Sequence, residues 1–263
     1  MSTILFDKAV FGPVHSRRLG VSLGINLLPT DGKLCSFDCL YCECGFNPKG
    51  RKLAPLPSRN DVATQLEATL RKMQSDGILP DVITFAGNGE PTLHPQFENI
   101  MADTIALRNQ YAPQAKVCVL TNATRIADES VARGLCMTDE AILKIDSGLE
   151  TTVKMLDRPA ATFSLRKTVD NILALRNRLG KALTIQTMFV SWTDEHGTNH
   201  DNMGNDDINA WIDIIKLLAP PQVMIYTIDR ETPLKSMRKA SKESLDAIAA
   251  KIAHLTPKVT VSY

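Results

Sequence analysis

Six apolar or β-branched runs are spaced along the chain: VSLGINLL (21–28), DVITFAG (81–87), KVCVLT (116–121), AILKID (141–146), LTIQTMFV (183–190) and QVMIYTI (222–228). They are near-continuously apolar, the pattern of strands buried on both faces. Segments of helical period lie between them. Ser58 suits the N-cap of a helix running to about Gln74, with Val62, Leu66 and Leu70 on one face. Further helices are predicted from Gln96 to Arg108, Asp128 to Gly134, Phe163 to Leu179, Asp206 to Leu218 and Ser241 to His254. Gly134, Gly180 and Pro220 stand where stops are expected. The polar stretch Asp194–Asp207 predicts a long loop able to act as a lid, and the terminal VTVSY an edge strand.

Six strand–helix units predict an α/β fold with a parallel sheet covered by helices. The pattern fits an open doubly wound sheet or a curved partial (β/α)6 TIM-like barrel, and ligands gather at the C-terminal strand ends in both. With 44% hydrophobic residues, the 263 residues suffice for one large core, so residues 1–263 are expected to form a single domain. No stretch approaches the ~20 apolar residues of a membrane span. The start, MSTILFDKAV, has neither a basic region nor a long apolar run, so an export signal is not expected. A reducing cytoplasm is therefore the expected compartment for its six cysteines.

The net charge of +1 gives no ground for nucleic-acid binding by charge alone. Charge is uneven, however: residues 1–60 hold eight Lys/Arg against four Asp/Glu. Arg17, Arg18, Lys49, Arg51 and Lys52 flank the region of densest chemistry, either as a solvated basic face or as an anion-binding rim.

That region is LCSFDCLYC, in which Cys35, Cys39 and Cys42 read C-x3-C-x2-C on a loop at about 30–45. Three thiolates can wrap a metal centre and leave one coordination position open, whereas four saturate it. A zinc site using Cys35, Cys39, Cys42 and Cys44 is the alternative, although paired two-residue and four-residue spacings are more usual for zinc. Cys118 alternates with apolar neighbours and reads as a buried strand residue, and Cys136 as incidental.

The spacing resembles the radical S-adenosylmethionine (SAM) superfamily, and Tyr41 supplies the aromatic expected before the last cysteine. The resemblance implies a partial barrel and a [4Fe-4S] cluster on Cys35, Cys39 and Cys42, with SAM on the fourth iron. It further implies reductive cleavage of SAM to a 5′-deoxyadenosyl radical that takes hydrogen from a substrate. Gly87-Asn88-Gly89-Glu90-Pro91 follows the second strand and resembles the family's GGEP segment, with Asn88 in place of its second glycine. The glycines let backbone approach a ligand closely, and Glu90 can accept from an ammonium group.

By the same resemblance the other strand ends form the SAM pocket: Asn122 after the third, Asp146 and Ser147 after the fourth, Gln186 and Met188 in the fifth, Tyr226 and Thr227 in the sixth. Arg158, in LDRP, offers a guanidinium fork for the SAM carboxylate. FGPVHSRRLGVSLGINLLP, FAGNGEPTLHP and LDRP are similar to the branch grouped with wyosine-type tRNA synthases, which carry further N-terminal cysteines; here none precedes Cys35. The expected partners are an electron donor such as flavodoxin or ferredoxin and a substrate that is a modified RNA, a peptide or a small molecule. The alternatives are an activase forming a glycyl radical on a partner protein, and a zinc-stabilised binding module.

Overall fold

The computed structural model describes residues 4–16 and 20–263, so Arg17 and Arg18 of the basic stretch lie outside the described residues. The first half comprises β1 (Val10–Ser16), β2 (Gly20–Ile25), α1 (Arg59–Ser75), β3 (Val82–Phe85), α2 (Phe97–Tyr111), β4 (Lys116–Thr121), α3 (Glu129–Cys136) and β5 (Glu140–Lys144). Then come α4 (Glu150–Leu156), α5 (Leu165–Leu179), β6 (Leu183–Met188), β7 (Val190–Thr193) and β8 (Asn199–Asp201). The chain closes with α6 (Asn205–Leu218), β9 (Gln222–Tyr226), β10 (Arg238–Lys239), α7 (Lys242–Ile252) and β11 (Lys258–Ser262).

Eight strands form one sheet in the order β1-β2-β3-β4-β5-β6-β9-β11. β1 pairs antiparallel to β2, and every other pair is parallel. This is the partial TIM-like barrel of the two predicted architectures, with β1 and β11 at its edges. Alternation along each strand explains the apolar runs. Ile83, Phe85, Val117, Val119, Leu143, Ile185 and Val223 join the main core with the helices, while Val82, Cys118, Ile142 and Met224 form a second cluster. Leu66 and Leu70 of α1 are fully buried in that main core, each contributing ~1.5–3 kcal/mol relative to exposure. Ser58 caps α1 in a reciprocal box with Asp61.

Several segments differ from the sequence reading: β1 and α4 were not predicted, and α3 runs through Gly134 to Cys136. Residues 194–207 are not a loop: β7 and β8 form a hairpin, and β10 adds to β7 in a small three-stranded sheet. The Asp194 carboxylate makes the turn, accepting from His196 N at 2.9 Å and Thr198 N at 2.8 Å and meeting His200 Nε2 at 2.9 Å. The run 183–190 is broken after Met188, where Phe189 N turns to donate to the Tyr226 carbonyl at 2.8 Å. Among the described residues, no helix is long and apolar enough to cross a membrane.

α6 packs backbone to backbone against the β5–α4 turn. A Cβ on Gly148 would stand 2.1 Å from the Ala210 carbonyl carbon and 2.2 Å from Trp211 N. Gly148→Ala should therefore lower the unfolding free energy by at least ~2 kcal/mol, because no flexible side chain is there to yield. Urea denaturation followed by circular dichroism measures this; an unshifted midpoint would contradict the close approach.

Candidate functional site

The cysteine loop lies beyond the C-terminal end of β2 and is held from two directions. On one side Leu34 bridges to Gly89, with Leu34 N donating to Asn88 O at 2.8 Å and Glu90 N to Leu34 O at 3.1 Å. On the other, Asp38 N and Leu40 N donate to Asp157 O and Leu156 O, both at 2.9 Å, at the end of α4. Asn47 closes the loop on itself: its Oδ1 accepts from Cys35 N at 2.9 Å, and its Nδ2 donates to Cys35 O at 3.1 Å. Cys39 is buried, Cys35 and Cys42 are half-buried, and all three thiols are free of disulfides.

Their surroundings make them chemically distinct. The Cys35 sulfur accepts from Phe37 N at 3.4 Å and from Asn122 Nδ2 at 3.6 Å, while burial pushes its pKa up to about 12. Burial also raises the Cys39 thiol well above its ordinary range, against the pull of Lys144. Cys42 is shifted the other way: a hydrogen bond from Cys44, and behind it the Lys33 ammonium, favour its thiolate. Among the described residues no three His, Cys, Asp or Glu side chains are grouped to hold a single metal ion. A four-thiol zinc site requires such convergence, whereas a multi-iron cluster takes each thiolate on its own iron. The three-thiol donor set suits the cluster.

The Gly87–Pro91 turn follows β3, with Gly87 at φ +145° and Gly89 at φ +140°. The close approach at Gly89 is to the protein itself, since a Cβ there would stand 1.9 Å from the Leu34 carbonyl oxygen. Asn88 is fully buried, its amide donating to Phe6 O at 2.9 Å and Pro29 O at 2.8 Å. Glu90 is also buried: its carboxylate accepts from Thr92 N, Thr92 Oγ1, Thr121 Oγ1 and Asn122 N at 2.6–3.1 Å. These two side chains fix the turn and aim Asn122 at Cys35. Pro91 opens a short 3₁₀ turn, Pro91–Leu93.

Around Tyr41 the remaining strand ends converge. The Tyr41 hydroxyl donates to Asp146 Oδ2, which also receives Lys144 Nζ at 2.7 Å, and Asp146 Oδ1 accepts from Met188 N at 2.9 Å. Lys144 pairs with buried Asp157 as well and lies 5.3 Å and 5.4 Å from the Phe37 and Tyr41 ring centroids. Burial opposes its charge, but Asp146 and Asp157 outweigh burial and hold its pKa well above the usual lysine range. Sequence reasoning missed Lys33, Lys144 and Asp157, although LKID and LDRP carry two of them. Ser147 donates to Asp207, and Gln186 is buried within β6. Met188, Tyr41, Tyr226 and Thr227 line a cavity of about 60 Å³. Arg158 borders the cysteine loop: its carbonyl accepts from Asp38 N at 3.2 Å, and the residue is exposed, at φ +44°, with its guanidinium 5.8 Å from the Phe46 ring centroid.

A larger chamber of about 340 Å³ opens on the strand ends, lined among others by Thr84, Gly87, Cys44, Phe11 and Arg230. Its size falls within that of small-molecule sites. The Glu43–Arg230 ion pair, 2.9 Å, links the cysteine loop to the segment after β9. Lys49, Arg51 and Lys52 are exposed, with Arg51 paired to Asp31 at 2.7 Å.

The chain resembles proteins of known sequence and shares its fold with proteins of known structure. It is 28% identical over 243 residues to the GTPase Obg of Brachyspira hyodysenteriae, covering 92% of this chain and 33% of that protein. It is 33% identical over 189 residues to a UPF0026 protein of Methanocaldococcus jannaschii, covering 70% of this chain and 56% of the other. The chain thus spans a third to just over half of these relatives. No family model matches it. Among solved structures, a radical SAM methyltransferase from Sphaerobacter thermophilus superposes with a TM-score of 0.65 at 13% identity, over 92% of this chain and 66% of that one. Streptococcus suis SuiB bound to S-adenosylmethionine gives 0.59 at 15% identity, over 88% and 48%. Archaeal TYW1 gives 0.51 at 10% identity, over 89% and 72%. The fold is the one these three proteins share.

The Leu34–Gly89 contact predicts a contrast between two glycines. Gly89→Ala should cost about 2–3 kcal/mol or more, from a left-handed backbone and a backbone clash together. Gly50→Ala, also at positive φ but with open space around it, should cost only ~1 kcal/mol. Chemical denaturation of both variants gives the difference; equal losses would show that the contact is slack.

Proposed function

We propose that this chain is a radical SAM enzyme, with Cys35, Cys39 and Cys42 as ligands of one [4Fe-4S] cluster and SAM on the remaining iron. One observation carries the reading: a three-thiol loop and a glycine turn, joined by backbone hydrogen bonds, stand at adjacent strand ends of a fold found in radical SAM proteins. When bound, the cluster supplies the electron that cleaves SAM reductively, and the adenosyl fragment takes a hydrogen atom from the substrate. The protein's own part is to orient and to enclose. Asn122 and Phe37 N–H donate to the Cys35 sulfur, and Glu90 fixes Asn122. Asp146 holds Tyr41 and Met188 in place, and these with Gln186 and Ser147 form the adenine and ribose side. The Gly87–Pro91 turn holds the methionine end.

The electron comes from a flavodoxin- or ferredoxin-type donor in the reducing cytoplasm, and residues 1–263 work as one core domain. The exposed Lys49, Arg51 and Lys52 favour an anionic or bulky substrate at the open mouth. The motifs FGPVHSRRLGVSLGINLLP, FAGNGEPTLHP and LDRP support a reading closest to the wyosine-type branch, without its substrate.

Anaerobically purified protein should be brown, contain iron and sulfide, and absorb near ~400 nm. Changing Cys35, Cys39 or Cys42 to Ala should abolish that absorption, while Cys44→Ala should retain it. With SAM and a strong reductant the wild type should release 5′-deoxyadenosine, a product absent from Cys42→Ala. Colourless protein holding zinc without sulfide would replace this reading with the zinc-stabilised module.

A further inference from the structure

The chamber of about 340 Å³ is walled on one side by alternate positions of three neighbouring strands. Ser22 and Gly24 of β2, Thr84 of β3 with Ala86 just beyond it, and Leu120 of β4 share that face of the sheet. Of the described residues assigned to SAM above, only Gly87 borders the chamber; Asp146, Ser147, Gln186 and Met188 do not. It therefore stands beside the place given to SAM.

Its floor is a pair of hydroxyls. Ser22 Oγ and Thr84 Oγ1 lie 2.9 Å apart, on residues only 4% and 5% exposed. Two hydroxyls carry two donor protons, and the bond between them uses one. Among the described residues neither hydroxyl meets a further partner, so one O–H is left to donate into the chamber. Its wall is aromatic. Phe6 and Phe11 are stacked, with ring centroids 3.5 Å apart and planes 15° from parallel. Phe11 lies over Gly24, where a Cβ would stand 2.1 Å from its Cζ. Phe6 is clasped by Asn88, whose Oδ1 accepts from Phe6 N and whose Nδ2 donates to Phe6 O, both at 2.9 Å. The asparagine that replaces the second glycine of the turn thus fixes one ring of the wall.

The charges at the rim are already matched. Glu43 pairs with Arg230 at 2.9 Å, and Asp229 with Lys239 at 3.3 Å. An ion entering the chamber would lose water and gain no unmatched counter-charge. Lys49, Arg51 and Lys52 do not line it, so an anionic part of a substrate stays outside. Size sets the other limit. A cavity of about 150 Å³ accepts a benzene ring, so this chamber has room for two fused rings.

We propose that this chamber binds the reacting part of the substrate and selects a flat, uncharged ring system of one or two rings bearing a carbonyl or ring-nitrogen acceptor. The acceptor takes the spare proton of the Ser22–Thr84 pair, and the ring extends the Phe6–Phe11 stack or meets its edge. That this ring is the substrate rests on the radical SAM reading above; that it binds here does not.

The probe is quinolin-2-one, two fused flat rings with one carbonyl, titrated into the full chain and followed by ligand-observed nuclear magnetic resonance. Decahydroquinolin-2-one keeps the carbonyl without the flat ring and is the control. Wild type should bind the flat probe more tightly by about fivefold, the order of one aromatic contact. Ser22→Ala/Thr84→Val keeps the floor's shape without its hydroxyls and should weaken the flat probe by about fivefold, the order of one net hydrogen bond. Ala86→Phe, which puts a ring into the chamber, should abolish binding. Equal affinity for the two probes, binding of neither, or undiminished binding in either variant overturns the inference. Should a variant lose the circular dichroism of the wild type, the methyl resonances of Ala86 and Leu120 in the wild type locate the probe instead, and unmoved resonances overturn the inference. Protein that passes these tests yet releases no 5′-deoxyadenosine with SAM and a strong reductant keeps the binding site and defeats the radical SAM reading alone.

Discussion

The site depends on the two backbone hydrogen bonds that join Leu34 to Asn88 and Glu90. They make the segment entering the cysteine loop and the turn after β3 a single pair of parallel strands one bridge long. Only a residue without a Cβ can stand at 89, since Leu34 O would be 1.9 Å from any side chain there. The turn's glycines therefore serve first to bring one piece of protein against another. Two features far apart in sequence become one wall, and whatever binds along it meets both.

The opposite wall is electrostatic. Lys144 is held between two carboxylates that are 1% exposed, with the aromatic rings of Phe37 and Tyr41 over it. Burial pushes the Asp157 carboxyl up to about 7, against the pull of Lys144. A buried pair is weak evidence for stability but strong evidence of geometry, because removing either partner leaves an uncompensated charge. Tyr41, Asp146, Lys144 and Asp157 are thus fixed as one unit beneath Cys39.

The parts legible in sequence were those set by local pattern. KVCVLT predicted β4 with its observed limits, because a continuous apolar run from Val117 to Leu120 is bounded by Lys116 and Thr121 and Asn122 leaves the sheet. Ser58 announced α1 through a cap that is local by nature. The spacing of Cys35, Cys39 and Cys42 needed no tertiary knowledge. What escaped was whatever depends on distant partners. The seven residues of α4, ETTVKML, are too short and too rich in threonine to show a period. The β7–β8 hairpin was hidden in a polar stretch because its turn is made by the Asp194 side chain. Lys33 and Lys144 drew no reading, since nothing near them in the chain forecasts their burial against the cysteine loop. Asp146 and Glu90 read as groups facing a ligand, and the structure shows their oxygens already engaged by the protein.

The seating of the cysteine loop on the end of α4 bears on the order of events during synthesis. Leu40 hydrogen-bonds to Leu156, and Tyr41 to Asp146, so the loop's lower support is made by residues translated long after it. Contacts between segments so distant in sequence form late, and chains emerge from the ribosome N-terminus first. The nascent chain therefore carries three unprotected thiols until the β5–α4 unit has emerged and docked. Anything that met the loop before that point would find only its glycine-turn side in place.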